Sequence, residues 1–146
     1  MVTLRLLLLL ILLGMGPLPA WAQVTVSGAW VREAPPGAPA LAAYLVLHNG
    51  TDRPRTLVSV EADGFAHAML HRSITHADMA HMEHVDRLTL APGETLRLEP
   101  GSYHIMLMRP ARDLREGDTV RLTLRFADGT EQTTRVPVTR QPPPAP

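Results

Sequence analysis

Turn-forming sequences of two or three residues recur along most of the chain and divide it into short segments. They are Pro35-Pro36-Gly37, Asn49-Gly50, Asp63-Gly64, Pro92-Gly93, Pro100-Gly101, Glu116-Gly117-Asp118 and Asp128-Gly129. The segments between them alternate apolar and polar residues or are rich in β-branched residues, over 24–32, 42–48, 56–59, 66–72, 80–85, 95–98, 103–108, 119–126 and 132–138. No segment shows an apolar helical stripe with caps. This pattern predicts a single all-β domain, a Greek-key β-sandwich or barrel.

The first 22 residues have the organisation of a secretory signal. Arg5 precedes an apolar run over 6–13, glycines and prolines interrupt that run, and Ala20-Trp21-Ala22 fits a signal-peptidase site. The alternative is a membrane anchor, but the run is shorter than the roughly 20 residues that span a bilayer. We therefore expect cleavage after Ala22, export, and no stable insertion into a membrane.

The boundaries of the domain follow from this interpretation. We expect a folded domain over residues 23–139 and a disordered proline-rich tail over residues 140–146. The formal net charge of the chain is zero, and residues 1–22 carry only Arg5, so removing them leaves a charge of −1. A nucleic-acid partner is not expected for such a domain.

The chain has no cysteine. This excludes thiol redox chemistry, thiolate zinc sites, a blue-copper centre and a lipid anchor on cysteine. A metal site in this protein must therefore use histidine, methionine or carboxylate ligands.

Histidine and methionine are concentrated in one window. Five of the seven histidines lie between His67 and His84, His104 follows, and all five methionines after residue 22 lie between Met69 and Met108. The thioether of methionine is a soft, uncharged ligand that selects Cu(I) over zinc or calcium, and imidazole binds copper in either oxidation state. The window therefore predicts a soft-metal site, most simply for Cu(I).

Period-two alternation indicates which of these side chains share a face. His104 and Met106 lie on one face of segment 103–108, opposite Ile105 and Leu107. In segment 66–72, His67, Met69 and His71 share a face opposite Leu70. A hairpin or loop between His71 and Met82 would bring these two side chains to the same rim.

The spacing His71, ten residues, Met82, twenty-one residues, His104, one residue, Met106 resembles the signature of the periplasmic copper(I) chaperones called PCuAC. The flanking segments are also similar, among them Ser27-Gly28-Ala29-Trp30-Val31-Arg32 and Gly101-Ser102-Tyr103-His104-Ile105-Met106-Leu107-Met108. The resemblance covers roughly residues 24–138.

The resemblance implies a cupredoxin-like β-sandwich and a role in carrying Cu(I) through the periplasm. By position, His71, Met82, His104 and Met106 would be the Cu(I) ligands. The acceptor would be subunit II of cytochrome c oxidase or another periplasmic copper chaperone. Some members carry a C-terminal extension rich in histidine and methionine that takes Cu(II), and the tail of this chain has neither residue.

The other histidines and methionines of the window have open roles. Met69 and Met108 are expected to pack, although either could join the site, and Met79 is either a lid over it or an exposed side chain. His76, His81 and His84, with Asp78 and Glu83, form either a second site for Cu(II) on a loop or a solvated polar loop. Trp30 and Tyr44 are expected to be core aromatics near the site.

No arrangement typical of an enzyme is present. Ser73, His76 and Asp78 come nearest to a triad, but nothing places them as nucleophile, base and orienting group. We therefore expect a non-enzymatic protein. Besides delivery, the open alternatives are copper buffering without a dedicated acceptor, an interaction module that binds no metal, and a redox enzyme that cycles copper.

Overall fold

The structure, a computed structural model, describes residues 23–144. The expected signal peptide, residues 1–22, lies outside the described residues, as do the last two residues of the tail. Ten strands follow one another: β1 Val24–Arg32, β2 Ala40–Asn49, β3 Arg55–Ala62, β4 Phe65–His76, β5 Met79–His84, β6 Leu88–Leu90, β7 Thr95–Leu98, β8 Tyr103–Pro110, β9 Thr119–Phe126 and β10 Glu131–Thr139. The described residues contain no helix that could cross a membrane.

The strands are hydrogen-bonded in the order β5-β4-β8-β2-β1-β10-β9-β3-β6, and β7 pairs with β2. Almost all pairs are antiparallel, and the parallel pair β1–β10 joins one half of this path to the other. The sheet is not closed, because β5 and β6 form its two ends. The predicted all-β fold is confirmed.

The two halves of the sheet pack against each other around one apolar core. Alternate residues of β2 and β8, such as Leu45 and Ile105, are buried from one half, and alternate residues of β9, such as Leu122 and Leu124, are buried from the other. This is the inside-outside alternation expected of a two-layer β structure. The predicted alternation in segment 119–126 is confirmed.

The core residues of β4 and β8 determine which side chains of these strands point away from the core. Leu70, Ile105 and Leu107 are at most 4% exposed and point into the core. Their neighbours in sequence must therefore point to the outer face of the sheet. The face predicted for His104 and Met106, and for Met69 and His71, is thus confirmed.

Several strands are longer than or shifted from their predicted ranges, and two differences matter most for the fold. The strand expected over 66–72 continues to His76, so the segment between His71 and Met82 is a hairpin and not a loop. The strand β6 was not predicted, because its three residues are too short to show a periodicity.

Candidate metal centre

The register of β4 and β8 brings the histidines and methionines of the two strands side by side. His71 lies opposite His104, Met69 lies opposite Met106, and His67 lies opposite Met108. Directly opposed residues of an antiparallel pair have Cβ atoms about 5 Å apart. The rings of His71 and His104 meet edge to face with centroids 5.9 Å apart. Because a metal–imidazole bond is about 2 Å long, two rings at this separation can reach one ion.

His104 is held with one ring nitrogen free. It is only 3% exposed, and its Nδ1 lies 3.1 Å from the carbonyl oxygen of Ser102. A carbonyl oxygen only accepts, so Nδ1–H donates and the lone pair of the neutral ring is on Nε2. That Nε2 atom is buried and has no hydrogen-bond partner. A metal-ligating histidine is typically oriented in this way, with its second nitrogen donating to a carbonyl.

His71 is also prepared to act as a neutral ligand. Its Nδ1 is buried without a partner. Burial lowers the pKa of His71 below its usual value, and the neighbouring imidazoles of His104 and His84 lower it further. A lower pKa keeps the ring unprotonated, and only an unprotonated ring can donate its lone pair to a metal.

Met82 reaches the same face from the edge strand. β4 and β5 form a hairpin in which Ser73 lies opposite Met82 and His71 lies opposite His84. Directly opposed residues share a face, and so do residues two apart on one strand. Met82, opposite Ser73, is therefore on the same face as His71. Its side chain is 61% exposed.

The structure thus places three of the four predicted ligands, His71, His104 and Met106, on two adjacent strands. The fourth, Met82, is on the third strand of the same face and exposed to solvent. In the part of the chain that the structure describes, no three His, Asp or Glu side chains converge as a metal site. A metal ion bound on this face would therefore need methionine sulfur as well as imidazole nitrogen among its ligands.

The other methionines of the window lie around this group. Met69 is half-buried, lies two residues before His71 on the same face of β4, and is opposite Met106. Met79 is 73% exposed and lies opposite His76, on the face of the hairpin away from Met82. Since it is on the other face, Met79 does not cover the group of predicted ligands.

The three histidines considered for a second copper are divided between the two faces of the hairpin. His84 shares the face of His71, whereas His76 and His81 belong to the alternate positions that face the other way. A single ion bound by all three would need ligands from both faces of a two-stranded ribbon. The position of His84 beside His71 was not predicted, although the period-two relation between Met82 and His84 indicates that these two residues share a face.

Arg72 contacts both neighbouring strands on the reverse side of the group. It lies opposite Glu83 on β5 and opposite Tyr103 on β8. Its guanidinium donates to the Glu83 carboxylate over 3.2 Å and stands 5.8 Å from the centre of the Tyr103 ring. These contacts tie β5, β4 and β8 together one residue away from the histidines.

Trp30 and Tyr44 lie farther along the same sheet. Their ring centroids are 4.8 Å apart, and both residues are buried. Arg32 lies over both rings, 5.6 Å from the Trp30 centroid. The two aromatics are buried, as expected, but they pack on each other on the outer face of the sheet and are not part of the main apolar core.

Comparison with known proteins agrees with this architecture. The model of the LpqE-like family, described as "Putative lipoprotein LpqE-like", matches residues 24–138. A "putative lipoprotein" of Leifsonia xyli subsp. xyli is 33% identical over 83% of this chain and 77% of its own length. An uncharacterized protein of Rickettsia prowazekii is 32% identical over 70% of this chain. The matched region covers 57% of the length of that protein.

Solved structures share the fold. The Cu(I) form of DR1885 from Deinococcus radiodurans is 37% identical, with a TM-score of 0.67 over 83% of this chain and 82% of that one. The copper-bound PCuAC domain from PmoF2 is 23% identical, with a TM-score of 0.69 over 82% of this chain and 94% of that domain, a likeness that concerns the fold alone. The cupredoxin-like fold expected from the sequence is confirmed. The chain belongs to the LpqE-like family, that is, to the PCuAC family of domains.

Proposed function

We propose that this protein is a periplasmic copper chaperone that binds one Cu(I) through His71, Met82, His104 and Met106. The observation that carries the proposal is the buried Nε2 of His104, which has no partner and lies on the face that also holds His71 and Met106. A buried polar atom without a partner is costly, and a bound ion satisfies it. The related DR1885 has a solved Cu(I) form, which supports copper binding by this chain.

The two thioethers determine which ion the site prefers. Sulfur from Met82 and Met106 is soft and neutral, which favours Cu(I) over the harder divalent ions. Neither thioether has to lose a proton, and neither can form a disulfide in an oxidising compartment. A His/Met set therefore suits a carrier that works outside the cytoplasm.

The exposed position of Met82 supports transfer to another protein. Its side chain is at the edge strand and is 61% exposed, so an acceptor can approach the ion from this side. Ligand exchange then proceeds through a state in which both proteins hold the copper. We propose export by the signal at residues 1–22, and as acceptor subunit II of cytochrome c oxidase or another periplasmic copper chaperone, as the family resemblance implies.

The ligand assignment is tested by replacing each methionine with leucine, which keeps the volume and removes the sulfur. Met82→Leu and Met106→Leu should each lower the affinity for Cu(I) at least about tenfold, in competition with a chromophoric Cu(I) chelator. Met79→Leu is the matched control for Met82, because both are exposed on β5 but on opposite faces. Met108→Leu is the control for Met106 on β8. Unchanged affinity in both ligand variants would refute the assignment.

Delivery is tested separately from binding. Copper should leave the protein faster for an apo acceptor than for bulk solution, and a strain that lacks the gene should lose oxidase activity that added copper restores. Copper sensitivity with normal oxidase activity would instead identify a buffering protein without a dedicated acceptor.

A further inference from the structure

Trp30 is a large apolar side chain on the outer face of the sheet. The strand β1 contains a β-bulge between Ser27 and Trp30, where Gly28 has a φ of 56°. The extra residue reverses the alternation of the strand, so that Val24 and Val26 lie on the core side and Trp30 on the other. Trp30 is nevertheless only 4% exposed. Groups outside the main core therefore cover this ring.

The proline-rich tail supplies part of this cover. Pro142, Pro143 and Pro144 form one wall of a cleft of about 380 Å³, and the facing walls include Trp30, Gly28 and residues 97–100. Pro143 is half-buried, whereas the prolines on either side of it are exposed. One proline of the three is thus turned toward the domain, and the tail covers the cleft without filling it.

The start of the tail is fixed beside the aromatic pair. Thr139, the last residue of β10, lies opposite Arg32, whose guanidinium stands over both aromatic rings. Arg140 donates through Nε to the Glu33 carboxylate over 2.6 Å. The hydroxyl of Thr139 donates to the carbonyl oxygen of Gln141 over 2.7 Å. These contacts hold the first two residues of the tail and direct the prolines that follow toward the cleft.

We propose that residues 140–144 form an intramolecular strap, which docks as a polyproline II segment over the cleft beside Trp30. Three consecutive prolines favour this rigid, extended conformation, so the segment loses little conformational entropy when it docks. Aromatic-lined grooves are a common binding surface for such segments. The sequence predicted a disordered tail because the tail cannot build a core of its own. Docking on a cleft that the domain already provides does not require one.

The strap lies at one end of the face that carries the candidate metal centre. Ala42 lies opposite Met106, and Tyr44, two residues farther along β2, lies opposite Trp30 on β1. Adjacent strands are about 4.8 Å apart, which places Trp30 about 10 Å from the row of β8. The strap therefore covers the β1 end and leaves the β5 end, with Met82, open. For the proposed chaperone, on which this consequence alone rests, an acceptor would approach from the β5 side.

The test uses the metal-free chain from residue 23, in which Trp30 is the single tryptophan. Pro142→Gly, Pro143→Gly and Pro144→Gly combined keep the length of the tail and remove its preference for polyproline II. Acrylamide quenching of the Trp30 fluorescence should rise at least about twofold in this triple variant, with a shift of the emission to longer wavelength, because the indole loses its cover. Arg140→Gln, which loses the contact to Glu33, should change both quantities in the same direction.

Arg135→Gln is the matched control for Arg140→Gln. Arg135 is an exposed arginine of β10 that lies opposite Arg121, and its replacement should leave the quenching unchanged. Unchanged quenching in the triple variant, or an equal rise in Arg135→Gln, would overturn the strap. Unchanged quenching in Arg140→Gln would refute the role of Arg140 in holding it.

Urea unfolding separates the strap from a general loss of structure. The triple variant should keep one cooperative transition, because the strap docks on a cleft that forms without it. Loss of that transition would show that the tail belongs to the folded core, which also contradicts the proposal. These measurements contain no copper, so a failure of the proposed function is distinguishable and would show as no Cu(I) binding by the unaltered protein.

Discussion

At the scale of single residues, the chemistry of the candidate centre depends on where each ring nitrogen finds a partner. His104 donates to Ser102 through Nδ1 and leaves Nε2 buried and unpartnered, and Nδ1 of His71 is also buried without a partner. The sequence predicted that these residues are ligands but not which nitrogen is free. That information depends on the backbone of Ser102, two residues away, and on the burial that the core imposes.

The lowered pKa of His71 predicts a pH-dependent stability of the metal-free protein. Because burial disfavours the charged ring, the unfolded chain binds a proton at His71 more readily than the folded chain does. The contribution of His71 to the free energy of unfolding is therefore fully present above the ordinary histidine pKa of 6.5. It is lost as the pH falls from there through the lower pKa that His71 has in the folded state.

The free energy of unfolding in urea, measured at about pH 7.5 and at about pH 5.5, tests this effect, because these two values bracket the ordinary pKa of histidine. His71→Gln has no titrating ring and should lose less stability between the two values than the unaltered protein. His67→Gln is the control, since His67 is an exposed histidine of the same strand and face. The same pH dependence in His71→Gln and in the unaltered protein would contradict the account.

At the scale of elements, the hairpin β4–β5 decides where Met82 lies. The sequence left a hairpin and a loop as alternatives between His71 and Met82, because no Asn-Gly or Asp-Gly pair marks the turn. The structure closes the hairpin with Ala77 and Asp78, which have φ values of 49° and 63°. Two successive residues with positive φ are characteristic of a type I′ turn, in which alanine is disfavoured.

The strained alanine predicts a stabilising substitution. Ala77→Asn should stabilise the hairpin by about 0.5–1 kcal/mol, because asparagine tolerates positive φ better than alanine does. Slower amide hydrogen exchange in β4 and β5 would show it. Ala80→Asn, at an exposed position within β5, should give no such gain. Equal or faster exchange in Ala77→Asn would show that the turn is not strained.

At the scale of the whole molecule, the hydrogen bonds that join the two layers are made by residues other than the candidate metal ligands. Asn49, at the end of β2, is fully buried, and its side chain donates to the carbonyl oxygens of Leu90, Ala91 and Arg53 and accepts from Thr51. It thus joins β2 of one layer to β6 of the other. The sequence predicted only a turn at Asn49-Gly50, because these partners are distant in sequence and their approach depends on the packed fold.

Removing the Asn49 amide should therefore destabilise the protein without changing the centre. Asn49→Ala should lower the free energy of unfolding by about 2–4 kcal/mol, since several buried carbonyl groups lose their donor. The Cu(I) affinity of the folded protein should stay the same. Thr51→Val, which removes only one hydroxyl of this network, should cost less. A loss of Cu(I) affinity in folded Asn49→Ala would contradict this separation.

Much of the architecture was accessible from the sequence because alternation and turn residues are local signals. Strands β1, β7 and β9 have the predicted bounds, and the predicted faces of β4 and β8 are correct. The pairing of β4 with β8, and with it the opposition of His71 and His104, was not accessible. Their segments are 27 residues apart at the nearest ends, and period-two patterns do not specify which strands become neighbours.

X-ray absorption spectroscopy of the Cu(I)-loaded protein tests the central assignment most directly. A site made by His71, Met82, His104 and Met106 predicts sulfur scatterers at about 2.3 Å together with imidazole nitrogens at about 2.0 Å, as for a similar ion such as zinc. Loss of part of the sulfur signal in Met82→Leu, and of part in Met106→Leu, would assign both thioethers. A spectrum with nitrogen and oxygen scatterers alone would contradict the account.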